Sequence, residues 1–411
     1  MRRRKTKKKI SQAPLKSRHA YPPGQVREID IKSYKSKTRN KVYLEDLQKV
    51  SSDQRKNMLS AGVDPSQKRR SGTYLQMDHS VVLSNSLYPG LEVMSTTEAL
   101  KKYEWVDNYF WKVVSAEADK FTKQAQLEPH HGYFLRALPG VKATYPLQAC
   151  LFINDDNIIQ NVHNIIIAEE GSDLQVITGC ATASDVRRGL HIGISEFYVK
   201  KGAKLTFTMI HNWAEEVSVR PRTAALVEQG GTFLSNYICL KPVKNLQMYP
   251  KAELIGKGAL ARYNSILFAH PGAHLDVGSR VILKAEGSRA EIVARAISAG
   301  GDIIARGHLK GEAQGIKAHL ECRGLMLTEG GLIHAIPELE GTIEGVDLSH
   351  EAAVGKIARD EIEYLMARGL NQGEAQAAIV RGFLDISIMG LPGELQKEVD
   401  KAISACEKVV F

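Results

Sequence analysis

Glu170-Gly171-Ser172-Asp173-Leu174-Gln175-Val176 returns in altered form as Lys201-Gly202-Ala203-Lys204-Leu205-Thr206-Phe207, and again as Gln229-Gly230-Gly231-Thr232-Phe233. Each time a glycine is followed by a small or polar residue and then by apolar residues in alternation. The same opening recurs at Lys257-Gly258-Ala259, Pro271-Gly272-Ala273, Glu286-Gly287-Ser288, Ala299-Gly300-Gly301 and Glu329-Gly330-Gly331. The leading glycines lie 31, 28, 28, 14, 15, 13 and 30 residues apart, a period near 28 with a half-period near 14. A glycine supplies the positive-φ turn, and the period-two run behind it reads as a half-buried strand. No helical pattern lies between the strands. Parallel strands dispense with a crossover helix only when the chain winds onward around its own core. The stretch from Glu169 to about Ala335 is therefore expected to form a parallel β-helix with two main strands per coil and six or seven coils. A two-sheet sandwich would fit the turns but not the fixed period.

Outward from this stretch the grammar changes twice. Strands already begin at Gly132, with Tyr133 to Leu135, Val141 to Thr144, Cys150 to Asn154 and Val162 to Ile167 leading into the repeats. Upstream, residues 43–62 read as two short helices, and Ser95-Thr96-Thr97-Glu98 has the spacing of a capping box before Leu100, Tyr103, Val106 and Phe110. Downstream, Arg359 to Ala367 is helical, Gly369 suits the position after a helix end, and Asn371 caps a helix running to about Ile388. Gly390-Leu391-Pro392 breaks that helix, and a third follows over 393–409. Leu365, Ile379, Phe383 and Leu384 form either a core or a partner face. The expected organisation is a basic, disordered tail over 1–42, a helical domain over 43–130, a β-helix over 131–349 and a helical domain over 350–411.

A length of 411 residues and an apolar fraction of 43% allow a sizeable core. No run of about 18 apolar residues occurs, which speaks against a membrane-spanning helix. The basic start lacks the apolar region of a signal peptide. The net charge of +9 is matched by the nine Lys and Arg among residues 1–18, a stretch without acids, so the remaining body is formally neutral. That distribution argues against nucleic acid as the body's partner. It leaves the tail as a solubilising or weakly polyanion-binding extension, or as a contact for RNA or an acidic partner. The five cysteines are odd in number, widely spaced and free of C-x-x-C pairs, which fits a reducing cytoplasm rather than a disulfide framework.

No G-x-x-x-x-G-K-[ST] loop is present, so hydrolysis of a nucleotide by that route is not expected. Gly256-Lys257-Gly258-Ala259-Leu260-Ala261 matches a dinucleotide fingerprint, but the sequence behind it reads as strand rather than helix. A sharper signal is that Cys180, His211 and Cys239 each fall nine residues after Gly171, Gly202 and Gly230. Equal offsets stack on neighbouring coils about 4.8 Å apart. Parity with Leu174 and Leu205 turns the three inward, either as core filling or as an internal chemical row. Cys322 and Glu351 are 29 residues apart, close to one coil, so the spacing sets them side by side unless the Glu is unrelated surface. His319 and Cys322 resemble an H-x-x-C pair, yet their odd separation puts them on opposite faces of a strand, as it does His350 and Glu351. A carbohydrate-active β-helix enzyme would need carboxylates clustered on an exposed strand face, and the repeats show no such row.

Several motifs in order resemble the SufB/SufD family of iron-sulfur cluster assembly scaffolds: Tyr145-Pro146-Leu147-Gln148-Ala149, Ile165 to Gly171, Gly179-Cys180, Asn212-Trp213, Ile297-Ser298-Ala299-Gly300, Ser349-His350-Glu351-Ala352 and Arg368-Gly369-Leu370. The resemblance spans about residue 50 to 411. It implies a right-handed parallel β-helix flanked by small helical domains, and a dimer joined near the C-terminal end of the β-helix. That dimer is a homodimer or a heterodimer with a SufB or SufD paralogue. An ABC-type SufC ATPase is implied on the segment Asp360 to Phe383, including Arg368, Gly369, Arg381 and Phe383. By the same resemblance Cys322, Glu351 and His350 hold a transient iron-sulfur cluster, the first two being SufB-like and the histidine SufD-like. Thiolate suits iron, whereas imidazole and carboxylate are weaker ligands that let a finished cluster leave. Cys180 matches the family's sulfur-accepting cysteine, supplied by a cysteine desulfurase or another sulfide donor. Asn154, Asn212 and Trp213 match residues along an internal sulfur route that His211 and Cys239 would continue. Phe152, His211 and Glu228 depart from SufB, which has Arg, Gln and Lys there or nearby. The sequence carries no recognisable flavin site, although a bound flavin stays open. The expected function is a non-enzymatic scaffold for cluster assembly; the alternative is a SufD-like structural subunit that binds no cluster itself.

Overall fold

In the first of two long sheets, the strands Asp173–Thr182, Lys204–Asn212, Thr232–Cys239, Leu260–Ala269, Arg289–Ser298, Lys317–Met326 and Asp347–Lys356 pair in parallel, each with the next. Aligned residues such as Asp173, Lys204, Thr232, Leu260, Arg289, Lys317 and Asp347 give the sequence period directly. The second sheet runs Ile158–Ala168, Arg188–Val199, two split strands, His274–Leu283, Asp302–Gly311 and Leu332–Gly341. The chain alternates between the sheets, so each coil gives one strand to each. The computed structural model describes residues 28–328 and 330–384. The basic stretch 1–18 and most of the expected tail, the end of the second C-terminal helix near Ile388, the third helix over 393–409 and Cys406 lie outside these residues. The described residues from Ile31 onward form one packed unit.

The described residues are 48% strand and 16% helix, and their β-helix has about eight turns rather than six or seven. The extra coils have two sources. Leu147–Ile153 and Ile158–Ala168 wind one coil ahead of the first repeat glycine. Gly315 and Gly345 turn with φ of +64° and +78° at places the repeat count had not included. At the last repeat it is Gly331, not Gly330, that takes the positive φ.

Two prolines split the second sheet in consecutive coils. Glu216–Val219 and Arg222–Val227 part at Pro221, and Asn245–Met248 and Lys251–Leu254 part at Pro250. A proline has no N–H to give to a ladder, so each coil bends there. Gly256, the first residue of the dinucleotide-like motif, has a packing reason instead of a ligand. A Cβ on it would stand 1.9 Å from the Gln229 nitrogen of the preceding coil, and the strand Leu260–Ala269 follows in place of a helix.

The segment 43–130 carries strands as well as helices. Gly72–Met77 extends the first sheet beside Leu147–Ile153, and Leu91–Ser95 closes the second beside Tyr133–Ala137. Three α-helices lie among them: α1 (Ser52–Ser60), α2 (Thr96–Lys102) and α3 (Lys120–Leu127), with the expected Ser95 cap on α2. The outer face of the first sheet bears an apolar stripe, including Ile177, Ile210, Ile238, Ile266, Ile297 and Leu325. Gly62 rests on its start, where an added Cβ would meet Ile210 Cδ1 at 2.7 Å. Its far end is covered by α5 (Gln372–Phe383) through Val380 and by Leu384, while α4 (Arg359–Ala367) buries none of its residues. The last coil is open: Leu332, Leu339, Ile343 and Val354 are exposed.

Candidate functional site

Inside the β-helix the equal glycine offsets become an observed row. Cys180 pairs with His211, and His211 with Cys239, on three successive coils. All three are buried, the cysteines facing the same core as Leu174 and Leu205. The His211 ring is fixed by the Tyr237 hydroxyl, 2.8 Å from Nδ1, and by edge contacts with Tyr237 and Trp213. The second sheet adds His191, whose ring lies 5.0 Å from that of Trp213. Burial pushes the Cys180 thiol well up and the His211 imidazole well down, and it takes His191 down to about 3. Near neutral pH Cys180 is therefore a neutral thiol, and both imidazoles are neutral.

Of the other residues expected on this route, Trp213 joins the row, while the side chains of Asn154 and Asn212 bond elsewhere. Asn154 accepts from the Gln54 amide at 2.8 Å, and Asn212 donates to the Asn57 carbonyl at 3.2 Å, so both sit under α1. Phe152 is fully buried in the core, and Glu228 pairs with Lys200 at 3.0 Å near a turn. Sequence reasoning missed Tyr237 and His191. Tyr237 lies two residues before Cys239 and so shares its face; His191 stands on the opposite sheet, where no glycine offset points to it.

Cys322 faces the same interior toward the open end. In register, its column runs back through Ala294 and Ser265 to Tyr237, three coils away, or about 14 Å at the usual strand spacing. Cys322 is 4% exposed, and burial, with the Glu321 carboxylate, pushes its thiol up to about 11. The expectation that Cys322 and Glu351 lie side by side is corrected by the register: Cys322 stands opposite Ala352, and Glu351 opposite Glu321. Pairing runs straight across the ladder, and 29 is one short of this coil's offset of 30, which turns Glu351 to the outer face. There Arg323 reaches Glu321 at 2.8 Å and Glu351 at 3.5 Å. His350 stands opposite Leu320, whose parity is that of Cys322, so it shares the inner side of this exposed edge strand. His319 does turn away from Cys322 and meets Ser349 at 2.9 Å. Among the described residues no group of three or more His, Cys, Asp or Glu is gathered in ligand geometry.

Of the expected partner residues, Gly369 makes the turn between α4 and α5 with φ +98°. Arg368 and Arg381 are exposed, the former with its guanidinium over the Tyr364 ring. Phe383 is half-buried on the sheet, under the Arg295 guanidinium.

Residues 151–383 match the family described as SUF system FeS cluster assembly, SufBD core domain. An iron-sulfur cluster assembly SufBD family protein of Archaeoglobus fulgidus is 52% identical over 354 residues, covering 86% of this chain and 95% of that protein. One of Methanothermobacter thermautotrophicus (strain Winter) is 49% identical over 351 residues, 84% of this chain and 86% of that protein. Another, of Pyrococcus horikoshii, is 31% identical over 343 residues, 82% and 77% of the two chains. No helix among the described residues is long and apolar enough to cross a membrane.

Proposed function

Since the chain belongs to the SufBD family of iron-sulfur cluster assembly proteins, we propose that it is the scaffold on which the cluster is built, not a supporting subunit. The observation that carries this reading is that the thiols of Cys180, Cys239 and Cys322 share one interior. Sulfur accepted at Cys180 moves along that interior to Cys322, where iron joins it. Ser265 and Ala294, both small, leave the column between Tyr237 and Cys322 unfilled by large side chains. Cys322 and His350 are the ligands on the inner side of the edge, and a second chain across the open last coil, a copy or a paralogue, completes the set.

Four exposed apolar residues on or beside that coil support a dimer there. The exposed Tyr364 and Met366 of α4, beside Arg368, support an ATPase of the SufC type on the C-terminal helices. A cytoplasmic setting, with a desulfurase or free sulfide as donor, fits the four buried cysteines among the described residues, none of them in a disulfide.

The test is anaerobic reconstitution with ferrous iron and sulfide, followed by absorption spectra. A cluster that forms in the wild type and is lost in Cys322→Ser supports the scaffold. A second reading, the SufD-like structural subunit, is favoured by one observation: Glu351 is turned from Cys322 and engaged by Arg323. That reading expects no cluster in the wild type or in any variant.

A further inference from the structure

The interior row contains polar atoms that the protein itself leaves unanswered. His211 Nε2 and Trp213 Nε1 are buried without a hydrogen-bond partner. The Trp213 indole is a donor only, and its ring lies 5.5 Å from that of His211 and 5.0 Å from that of His191. His191 is oriented from behind. Gln160 gives its amide nitrogen to the carbonyls of Asp78 at 2.8 Å and Phe152 at 3.3 Å, so its oxygen is the group that faces His191 Nδ1 at 2.9 Å. Nδ1 therefore carries the proton, and Nε2 is left as a bare acceptor. Gly193 leaves room at that edge, since a Cβ there would stand 2.9 Å from His191 Nε2.

Trp213, a donor, packs against both His191, an acceptor, and His211, whose Nε2 edge is free, and His211 is the neighbour of Cys180 in register. Such a set fits a guest that both donates and accepts. An unmodified thiol fills it poorly, whereas a hydropersulfide, one sulfur longer and carrying an S–H, reaches outward from Cys180 to meet it. We infer that His191, locked in one tautomer by Gln160, is a positioning residue that accepts the S–H of a Cys180 hydropersulfide while Trp213 donates to its outer sulfur.

This rests on the reading of Cys180 as the sulfur acceptor. The loading step is an exchange. Cys180 Sγ attacks the outer sulfur of a donor persulfide, the Cys180–sulfur bond forms, the donor's sulfur–sulfur bond breaks, and the donor leaves as a thiol with Cys180's proton. Cys180–SH and R–S–SH thus become Cys180–S–SH and R–SH, with no net oxidation.

The experiment uses the full chain, loaded anaerobically with sodium polysulfide and freed of reagent. Sulfur on Cys180 is followed over time by alkylation and peptide mass mapping while a small thiol is present to remove it. Wild type is expected to hold the sulfur, and Cys180→Ser to take none at that position. His191→Phe keeps a ring but no acceptor and is expected to lose the sulfur about tenfold faster. His191→Gln restores an acceptor at the same reach and is expected to return to within about threefold of wild type. Loss from His191→Phe at the wild-type rate would overturn the role of His191 while leaving Cys180 as the acceptor. Equal loss from the Phe and Gln variants would reduce His191 to packing and overturn it too. A wild type that takes no sulfur at Cys180 would remove the underlying reading and this inference with it.

Discussion

His191 and His211 are imidazoles held neutral by burial, and that has a consequence for stability. In the unfolded chain each protonates near pH 6.5. In the fold His191 is held at about 3 and His211 well below its ordinary value. Between those pH values the unfolded state binds more protons, so stability is complete above about pH 6.5 and falls as the pH falls. The loss is about 1.4 kcal/mol per pH unit for each histidine. Urea melts from pH 7 to pH 4 should fall at least that steeply, since burial also lowers His130, His131, His163 and His270, and His191→Gln should make the slope shallower; an unchanged slope would mean the imidazole is not buried neutral. This row was legible in the sequence because three residues share one offset from one glycine. His191, Gln160 and Tyr237 were not, because what joins them to the row is a crossing of the interior rather than a step along the chain. Glu351 was misread because a spacing close to one coil is not a register: one residue of difference reverses the face.

At the scale of the coil, glycines fall into two kinds that a sequence cannot tell apart. Gly272 turns with φ +78° in open space, and an alanine there meets no atom within 4 Å. Gly256 is pressed against the backbone of the coil before it. Gly272→Ala should cost about 1 kcal/mol of conformational strain, and Gly256→Ala about 3 kcal/mol or more. Denaturant midpoints would check this, and equal costs would contradict it. The half-period of the glycines was enough to read the solenoid. The coil built from Leu147–Ile153 and Ile158–Ala168 was left out of the count because no repeat glycine announces it, and the strands within 43–130 were read over because they are short and only borrow their order from the sheets they extend. The docking of α5 is a separate element with its own stability. Val380→Ala together with Leu384→Ala removes two buried side chains that hold it on the stripe, at about 2 kcal/mol or more. Amide exchange should then quicken across Gln372–Phe383 and stay slow in the coils.

For the whole molecule, the unfinished end is the feature that matters. Among the described residues the solenoid's last strand, Asp347–Lys356, pairs on one side only, and edges of this kind pair with another chain unless they are guarded. Here Leu332, Leu339, Ile343 and Val354 lie exposed on or near it, and Cys322 sits one coil inside. Charge at this end should therefore undo both assembly and cluster binding: Leu332→Asp with Val354→Asp is expected to shift the chain from dimer to monomer in light scattering, with the melting of the coils preserved. The measurement that tests the central claim most directly is anaerobic size-exclusion chromatography of the reconstituted wild type, with iron, sulfide and Mössbauer spectra read on each fraction beside Cys322→Ser. The account expects iron and sulfide, as a cluster, to travel only with the dimer and to vanish with Cys322→Ser. A cluster carried by the monomer, or one retained without Cys322, would contradict it.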